Sequence, residues 1–135
     1  MENWEAAYVA GIIDGEGSIH LTRMHNSEFR RPYISVASTD KELLIYIQSL
    51  TDGLITNKKN YKPHKHKNSF TLSIKKKENV FNILRCILPY LRVEQKKKRA
   101  QWILNNYNQV TSRNGKYAPE LLKEKLLFEE IFFKL

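Results

Sequence analysis

The chain has 135 residues, enough to bury a sizeable core, and its 41% hydrophobic and 11% aromatic content excludes a disordered chain. Lys and Arg number 23 against 14 Asp and Glu, a net charge of +9 that favours a polyanionic partner, nucleic acid before an acidic membrane surface; a merely soluble basic protein is the plainer alternative. The single Cys86 excludes an internal disulfide and a cysteine-rich zinc centre, and no apolar run approaches the roughly 20 residues of a membrane helix.

In chain order, Met1-Glu2-Asn3-Trp4-Glu5 lacks the basic start of a signal or transit peptide, so the expectation is an intracellular protein acting in the compartment that makes it. Its wealth of Lys, Asn and Ile fits an AT-rich coding sequence of an organelle, a phage or a microbe. A first helix is predicted over about residues 3–14, with Asn3 as N-cap and Glu5 in the first turn. Trp4, Tyr8, Val9, Ile12 and Ile13 give it more apolar surface than one stripe needs, so it should pack on two sides. Ala7 and Gly11 lie four apart on one face, with Ala10 beside them, and so small a face lets another backbone approach. Asp14-Gly15-Glu16-Gly17 then breaks the helix and leaves two carboxylates at the negative end of its dipole. A plain glycine C-cap explains the glycines, but the two acids argue for a cation close by.

Strands are predicted over about 18–25 and 30–37, where Ile19 and Leu21, then Ile34 and Val36, alternate with polar neighbours. Thr39 and Glu42 have capping-box spacing before a helix over about 40–51, which Asp52-Gly53 ends. Leu54 to Lys58 starts a third strand and Ser69 to Lys75 makes a fourth, joined by a polar tip containing Pro63. Helices follow over about 77–88, stopped by Pro89, over about 94–108, and from Pro119 to Phe133. No linker, repeat or low-complexity tract divides residues 1–135, so one domain is expected.

The basic residues are unevenly spread. Lys58, Lys59, Lys62, Lys65, Lys67, Lys75, Lys76 and Lys77 form one run with no acid among them, and Arg92, Lys96, Lys97, Lys98 and Arg99 form another. A solvated face is the usual meaning of such runs. Here they flank a hairpin and a helix start, and could track a phosphate backbone. One side of the strands carries Ser18, His20, Thr22, Met24, Tyr33, Ser35, Thr56, Lys58, Ser69, Thr71, Ser73 and Lys75, side chains that can read base edges in a major groove. A register slip of one residue would invert that set. His64 and His66, among four positive neighbours, suit a loop tip on a DNA backbone better than a metal site. Glu120, Glu124, Glu129 and Glu130 of the last helix are expected to form a solvated face.

Val9 to Gly17 resembles the signature of the LAGLIDADG homing endonucleases, with Glu16 where Asp is commoner and Gly15 where Ala is common. The element order αββαββ followed by helices agrees over residues 3 to about 108. The resemblance implies an α+β fold, αββαββα, with a four-stranded antiparallel DNA-binding sheet and helices on its other face. It implies a metal-dependent, site-specific double-strand DNA endonuclease that leaves short 3′ overhangs and is encoded in an intron or intein. Glu16 would hold Mg²⁺ (Mn²⁺ as substitute) together with the Gly15 carbonyl, and Asp14 would be structural or outer-shell. A lysine near the site is implied: Lys96, four residues before Ala100, with Lys97 and Lys98 as alternates that otherwise contact DNA. Ser38 falls where the family often orders water. One motif in one chain implies a homodimer on a near-palindromic target, joined through Ala7, Ala10, Gly11 and Asp14. Two other readings stay open at this stage, a maturase acting on its own intron RNA and a DNA-binding regulator without chemistry.

Overall fold

The computed structural model describes residues 1–135. The elements run α1 (Asn3–Glu16), β1 (Gly17–Thr22), β2 (Arg31–Ser38), α2 (Lys41–Thr51), β3 (Leu54–Asn57), β4 (Phe70–Ile74), α3 (Lys77–Ile87), α4 (Glu94–Asn106) and α5 (Pro119–Lys134). Short 3-10 turns at Leu88–Tyr90 and Asn108–Val110 follow α3 and α4. Proline at Pro89 forces the first of these turns, because it has no N–H for a continuing helix.

The four strands form one antiparallel sheet in the order β1-β2-β4-β3. Alternation decides its two faces. Ile19, Leu21, Ile34, Val36, Leu72 and Ile74 point to the helices and are buried, while their neighbours on each strand face outward. Above the sheet, α1 contributes Val9, Ala10 and Ile13, α2 Leu44 and Ile47, and α3 Val80, Phe81, Ile83, Leu84 and Ile87 to a 22-residue apolar cluster. Phe128 and Phe132 of α5 belong to the same cluster, and the Trp102 indole N–H donates to the Phe128 carbonyl at 3.1 Å. Each fully buried Val, Leu, Ile or Phe side chain among these is worth about 1.5–3 kcal/mol against exposure. No helix is long and apolar enough to cross a membrane.

Several local expectations are corrected. The helix α1 continues through Asp14, Gly15 and Glu16 and stops at Gly17, where a Cβ would stand 2.8 Å from the Ile13 Cα. Its N-cap is Glu2 rather than Asn3, with the Glu2 N–H donating to Glu5 Oε1 at 2.8 Å. The N-cap of α2 is Asp40 rather than Thr39, because the Ser38 hydroxyl accepts the Asp40 N–H at 3.0 Å and fixes the turn one residue later. At the other end of α2 it is Asp52 that adopts the left-handed conformation (φ 55°). Gly53 is required for space instead, since a Cβ there would lie 2.7 Å from Leu72 Cδ1. Away from the core side of α1, Tyr8 meets Tyr46 of α2 edge-on, ring centroids 5.7 Å apart, yet stays 46% exposed, and Trp4 is 66% exposed. Glu129, expected in solvent, is buried and paired with Arg30 at 2.8 Å.

Candidate functional site

Two features meet at the junction of α1 and β1: a charged helix end and the outer face of the sheet. The helix end comes first. The Lys96 amine, carried in on the first turn of α4, donates to the carbonyls of Ile13 and Asp14, each at 2.7 Å. Both carbonyls lie in the last turn of α1, where that of Ile13 also accepts the Gly17 N–H, and a cation there complements the negative pole of the helix. Asp14 makes the converse contact. Its carboxylate accepts the N–H groups of Arg92 at 2.8 Å and Val93 at 3.1 Å, and Val93 is the N-cap of α4. So α4 lends a cation to the negative end of α1, and α1 lends an anion to the positive end of α4.

Glu16 has no such partner. It is exposed and takes part in none of the three ion pairs of the chain. Of the three consecutive lysines it is Lys96 that reaches this helix end, while Lys97 is half-buried and Lys98 is exposed further along α4. Ser38 lies at the end of β2, two residues past Val36, which pairs with Gly17. Its hydroxyl oxygen already accepts the Asp40 amide, which leaves its own O–H free to donate.

The oxygen donors fit a hard divalent cation of the magnesium class: one free carboxylate on Glu16 and the backbone carbonyl of the adjacent Gly15. One chain alone brings no three acidic, histidine or cysteine side chains together as a cage. The remaining ligands would have to come from water, a substrate phosphate or a second chain.

The outer sheet face is read from the register. Ser18, Ser35 and Ser73 stand side by side across β1, β2 and β4. His20 pairs with Tyr33 and stacks on it, ring centroids 6.5 Å apart. The Tyr33 hydroxyl is 3.1 Å from the Ser73 hydroxyl, and the Lys75 amine lies 5.7 Å from the centre of the Tyr33 ring. Thr71 pairs with Thr56 of β3, and Thr22 pairs with Arg31 at the far end of the β1–β2 ladder. Burial, and then the Arg99 guanidinium behind β1, lower the His20 pKa below its ordinary 6.5, so its imidazole is neutral at physiological pH. It can therefore both donate and accept.

Most of the predicted outer set stands on this face. Lys58, Ser69 and Lys75 lie just past the strand ends, and the Lys58 N–H extends the ladder to the Ser69 carbonyl at 2.9 Å. Met24 does not belong to the face. The strand β1 ends at Thr22, and Met24 is half-buried in the β1–β2 loop, where strand alternation no longer applies. Arg31 and Leu54 were missed, although both share strand parity with Tyr33 and Thr56; Leu54 is 64% exposed. Beyond β3 the basic tip folds over a cavity of about 370 Å³ between Lys58, Lys59, Tyr61, Lys62 and Lys67, and His64 is exposed nearby.

The proposed seam of α1 also changes. Ala10 is fully buried in the chain's own core and Asp14 is engaged by α4. On the exposed face, at helical spacing, stand Trp4, Tyr8, Gly11 and Gly15, with Ala7 beside them. A Cβ added at Gly11 or Gly15 would meet nothing within 4 Å. Nothing inside the chain requires either glycine.

The family model of the LAGLIDADG-like domain matches residues 3–114. No curated protein sequence matches the chain. Among solved structures, the homing endonuclease I-CvuI bound to its target in the presence of calcium is 18% identical, with a TM-score of 0.75 over 98% of this chain and 82% of that one. The same protein with the I-CreI target in magnesium, its DNA not cleaved, is 19% identical with a TM-score of 0.71 over 97% and 81%. The archaeal intron-encoded homing endonuclease I-Vdi141I, complexed with DNA, is 20% identical with a TM-score of 0.55 over 99% and 98%. At these identities the likeness is one of fold.

Proposed function

The chain belongs to the LAGLIDADG-like family, and on that footing we propose that it is a metal-dependent, site-specific double-strand DNA endonuclease acting as a homodimer. The observation that carries the reading is Glu16, the acid left without a partner at a helix end whose other charges are matched, beside a polar and basic sheet face.

The outer sheet face lies along the DNA. Ser18, Ser35, Ser73, Thr56 and Thr71 offer hydroxyls to base edges, neutral His20 offers a donor and an acceptor, and Leu54 offers an apolar contact suited to a thymine methyl. Lysines at the β3–β4 tip and Lys97 and Lys98 on α4 hold phosphates and fix the register. Glu16 and the Gly15 carbonyl would hold the cation. Mg²⁺, when bound there, supplies an activated water and neutralises charge on the scissile phosphate. Lys96 keeps the helix end closed and sets a positive charge near the reacting phosphate, and the Ser38 hydroxyl orients water. The carboxylate of Asp14 fixes α1 to α4 and so aims Glu16.

The dimer follows from the exposed face of α1. Glycine inside a helix costs about 0.5–1 kcal/mol relative to alanine. Gly11 and Gly15 carry that cost with no benefit inside the chain, and Trp4 and Tyr8 leave apolar surface beside them. A second copy packed on this face explains both. It would also bring a second Glu16 alongside the first, two acids for two DNA strands. Short 3′ overhangs and an intron- or intein-borne gene are carried over from the family resemblance.

The test is Glu16→Gln. It should abolish Mg²⁺-dependent cleavage of the rejoined gene flanks while leaving duplex binding within about twofold. Cleavage at the wild-type rate by this variant would refute the metal assignment.

A further inference from the structure

The densest positive charge of the chain surrounds an exposed aromatic ring at the β3–β4 tip. Residues 58–69 hold five lysines, two histidines and no acid, and none of the lysines enters an ion pair. Like charges so close repel one another, a cost that a polyanion removes. The tip is folded all the same. The Asn60 side chain donates to the His66 carbonyl at 2.8 Å and to Asn68 Oδ1 at 3.2 Å, and it accepts the Lys62 N–H at 3.0 Å. The Lys62 carbonyl accepts the N–H groups of Lys65 and His66, each at 3.0 Å. These bonds shape the cavity of about 370 Å³ that Lys58, Lys59, Lys62 and Lys67 line together with Ser69.

Tyr61 lines the same cavity and is 80% exposed, more than any other large hydrophobic side chain of the protein. The Lys59 amine sits 4.9 Å from the centre of its ring, so ring and cation are presented together. A paired duplex offers phosphates to such lysines but no base face to the ring, because its bases are stacked on one another. An unpaired strand offers both. The register says where such a strand would lie. Phe70 of β4 pairs with Asn57 of β3 and with Ser38 of β2, and Gly17 of β1 pairs with Val36. The tip therefore leaves the sheet from the end that carries Ser38 and Glu16, and the β1–β2 loop leaves from the opposite end. Three strand spacings, about 14 Å, separate β3 from β1. Roughly four stacked nucleotides, at about 3.4 Å each, span that distance.

We propose that the β3–β4 tip is a binding site for unpaired DNA, in which Tyr61 stacks on a base and the surrounding lysines hold the phosphates of the strand freed beside the cut. The single-strand site stands on the tip itself, while its place in the reaction rests on the reading of Glu16 above. The plainer alternative is a solvated hairpin tip whose lysines touch a duplex backbone, which gives the Tyr61 ring nothing to do.

The experiment measures, by fluorescence anisotropy, the binding of wild type, Tyr61→Ala and Tyr61→Phe to a short DNA strand of random sequence, to the same sequence as a duplex, and to the same sequence as RNA, with folding checked by circular dichroism. Tyr61→Ala should bind the DNA strand about fivefold or more weaker, the loss of one base–aromatic stack, and the duplex within about twofold of wild type. Tyr61→Phe keeps the ring and should keep the strand. Equal strand affinity in wild type and Tyr61→Ala, or an equal loss on strand and duplex, overturns the site and leaves duplex binding standing. A wild type that holds the strand but binds no duplex overturns the proposed function and leaves the site standing. RNA bound tighter than DNA, with the same loss in Tyr61→Ala, makes the ligand RNA and overturns the DNA assignment. Synthetic halves of the rejoined gene flanks, with and without an unpaired 3′ tail, test the placement. The tail should strengthen binding by wild type and not by Tyr61→Ala; a tail that adds nothing in wild type overturns the position beside the cut.

Discussion

Asp14→Ala should loosen the corner where α1 meets α4 without touching any exposed group. The carboxylate serves two amides, Arg92 N–H at 2.8 Å and Val93 N–H at 3.1 Å, at the start of α4. Loss of a capping acceptor costs about 1 kcal/mol, and loss of the negative charge at a helix N-terminus about 0.3–1 kcal/mol more. The corner is half-exposed, so water rescues part of the freed amides and the total stays near 1.5–2 kcal/mol. For a chain of this size that is a fall in Tm of roughly 5–8 °C. Asp14→Asn keeps one acceptor and should lose about half as much. Glu16→Ala, at an exposed and unpaired position, should stay within about 0.5 kcal/mol of wild type. Urea unfolding followed by circular dichroism measures all three, at one fixed protein concentration because a dimer's stability depends on it. A midpoint for Asp14→Ala equal to wild type would refute its place in the α4 cap. A loss as large for Glu16→Ala would make Glu16 a structural residue and remove the division between the two acids.

Three further outcomes are expected. Gly11→Leu adds a side chain into open space and should leave the isolated chain folded, but sedimentation equilibrium should show a dimer at least tenfold weaker; an unchanged dissociation constant counts against the α1 seam. Gly17→Ala sets a Cβ 2.8 Å from the Ile13 Cα, a backbone atom that cannot swing away, and should destabilise by about 1–3 kcal/mol in the same unfolding assay; a neutral result would mean the helix end shifts freely. Lys125 is lowered to about 8 from 10.5, so between those values the unfolded chain binds more protons than the folded one and stability rises with pH. That gain, about 3 kcal/mol at most, should be seen in wild type between pH 8 and 10.5 and be missing in Lys125→Met; parallel pH profiles would disprove the burial of the amine.

Strict alternation made the sheet legible in the sequence. Phe70, Leu72 and Ile74 against Thr71 and Ser73 admit one register, and the buried set agrees with it. Where alternation stopped, so did the reading. Alternation predicts that β1 runs on over Met24, because nothing local marks its end at Thr22. Glu129 reads as a solvent residue in the sequence because its partner, Arg30, lies 99 residues away in the β1–β2 loop. Lys125 shows the same limit: a lysine on an acidic helix reads as surface, and only the fold of residues 107–117 puts an aromatic ring and a hydroxyl against it. The small face read from the sequence joins Ala7, Ala10 and Gly11, but the core side of α1 is the side of Ala6 and Ala10, while Gly11 faces outward together with Gly15, which the sequence reading takes as a helix breaker.

The acidic pair at the end of α1 shows what the tertiary contact adds. Two carboxylates at the negative end of a dipole look equivalent in sequence, and both call for a cation. The fold separates them by where each side chain points. Asp14 turns toward the N-terminus of α4, whose unsatisfied amides replace the cation. Lys96 then answers the dipole of α1 itself, through the carbonyls of Ile13 and Asp14 and not through either carboxylate. Three of the four local charges are thereby matched within the chain: the Asp14 carboxylate, the Lys96 ammonium and the helix pole. Glu16 is what remains. Its negative charge is exposed to solvent, and a carboxylate brought beside a phosphate is repelled unless a divalent cation lies between them. If Glu16 holds the metal as proposed, the same arrangement that leaves it unmatched in the free protein would make metal binding and DNA binding mutually reinforcing.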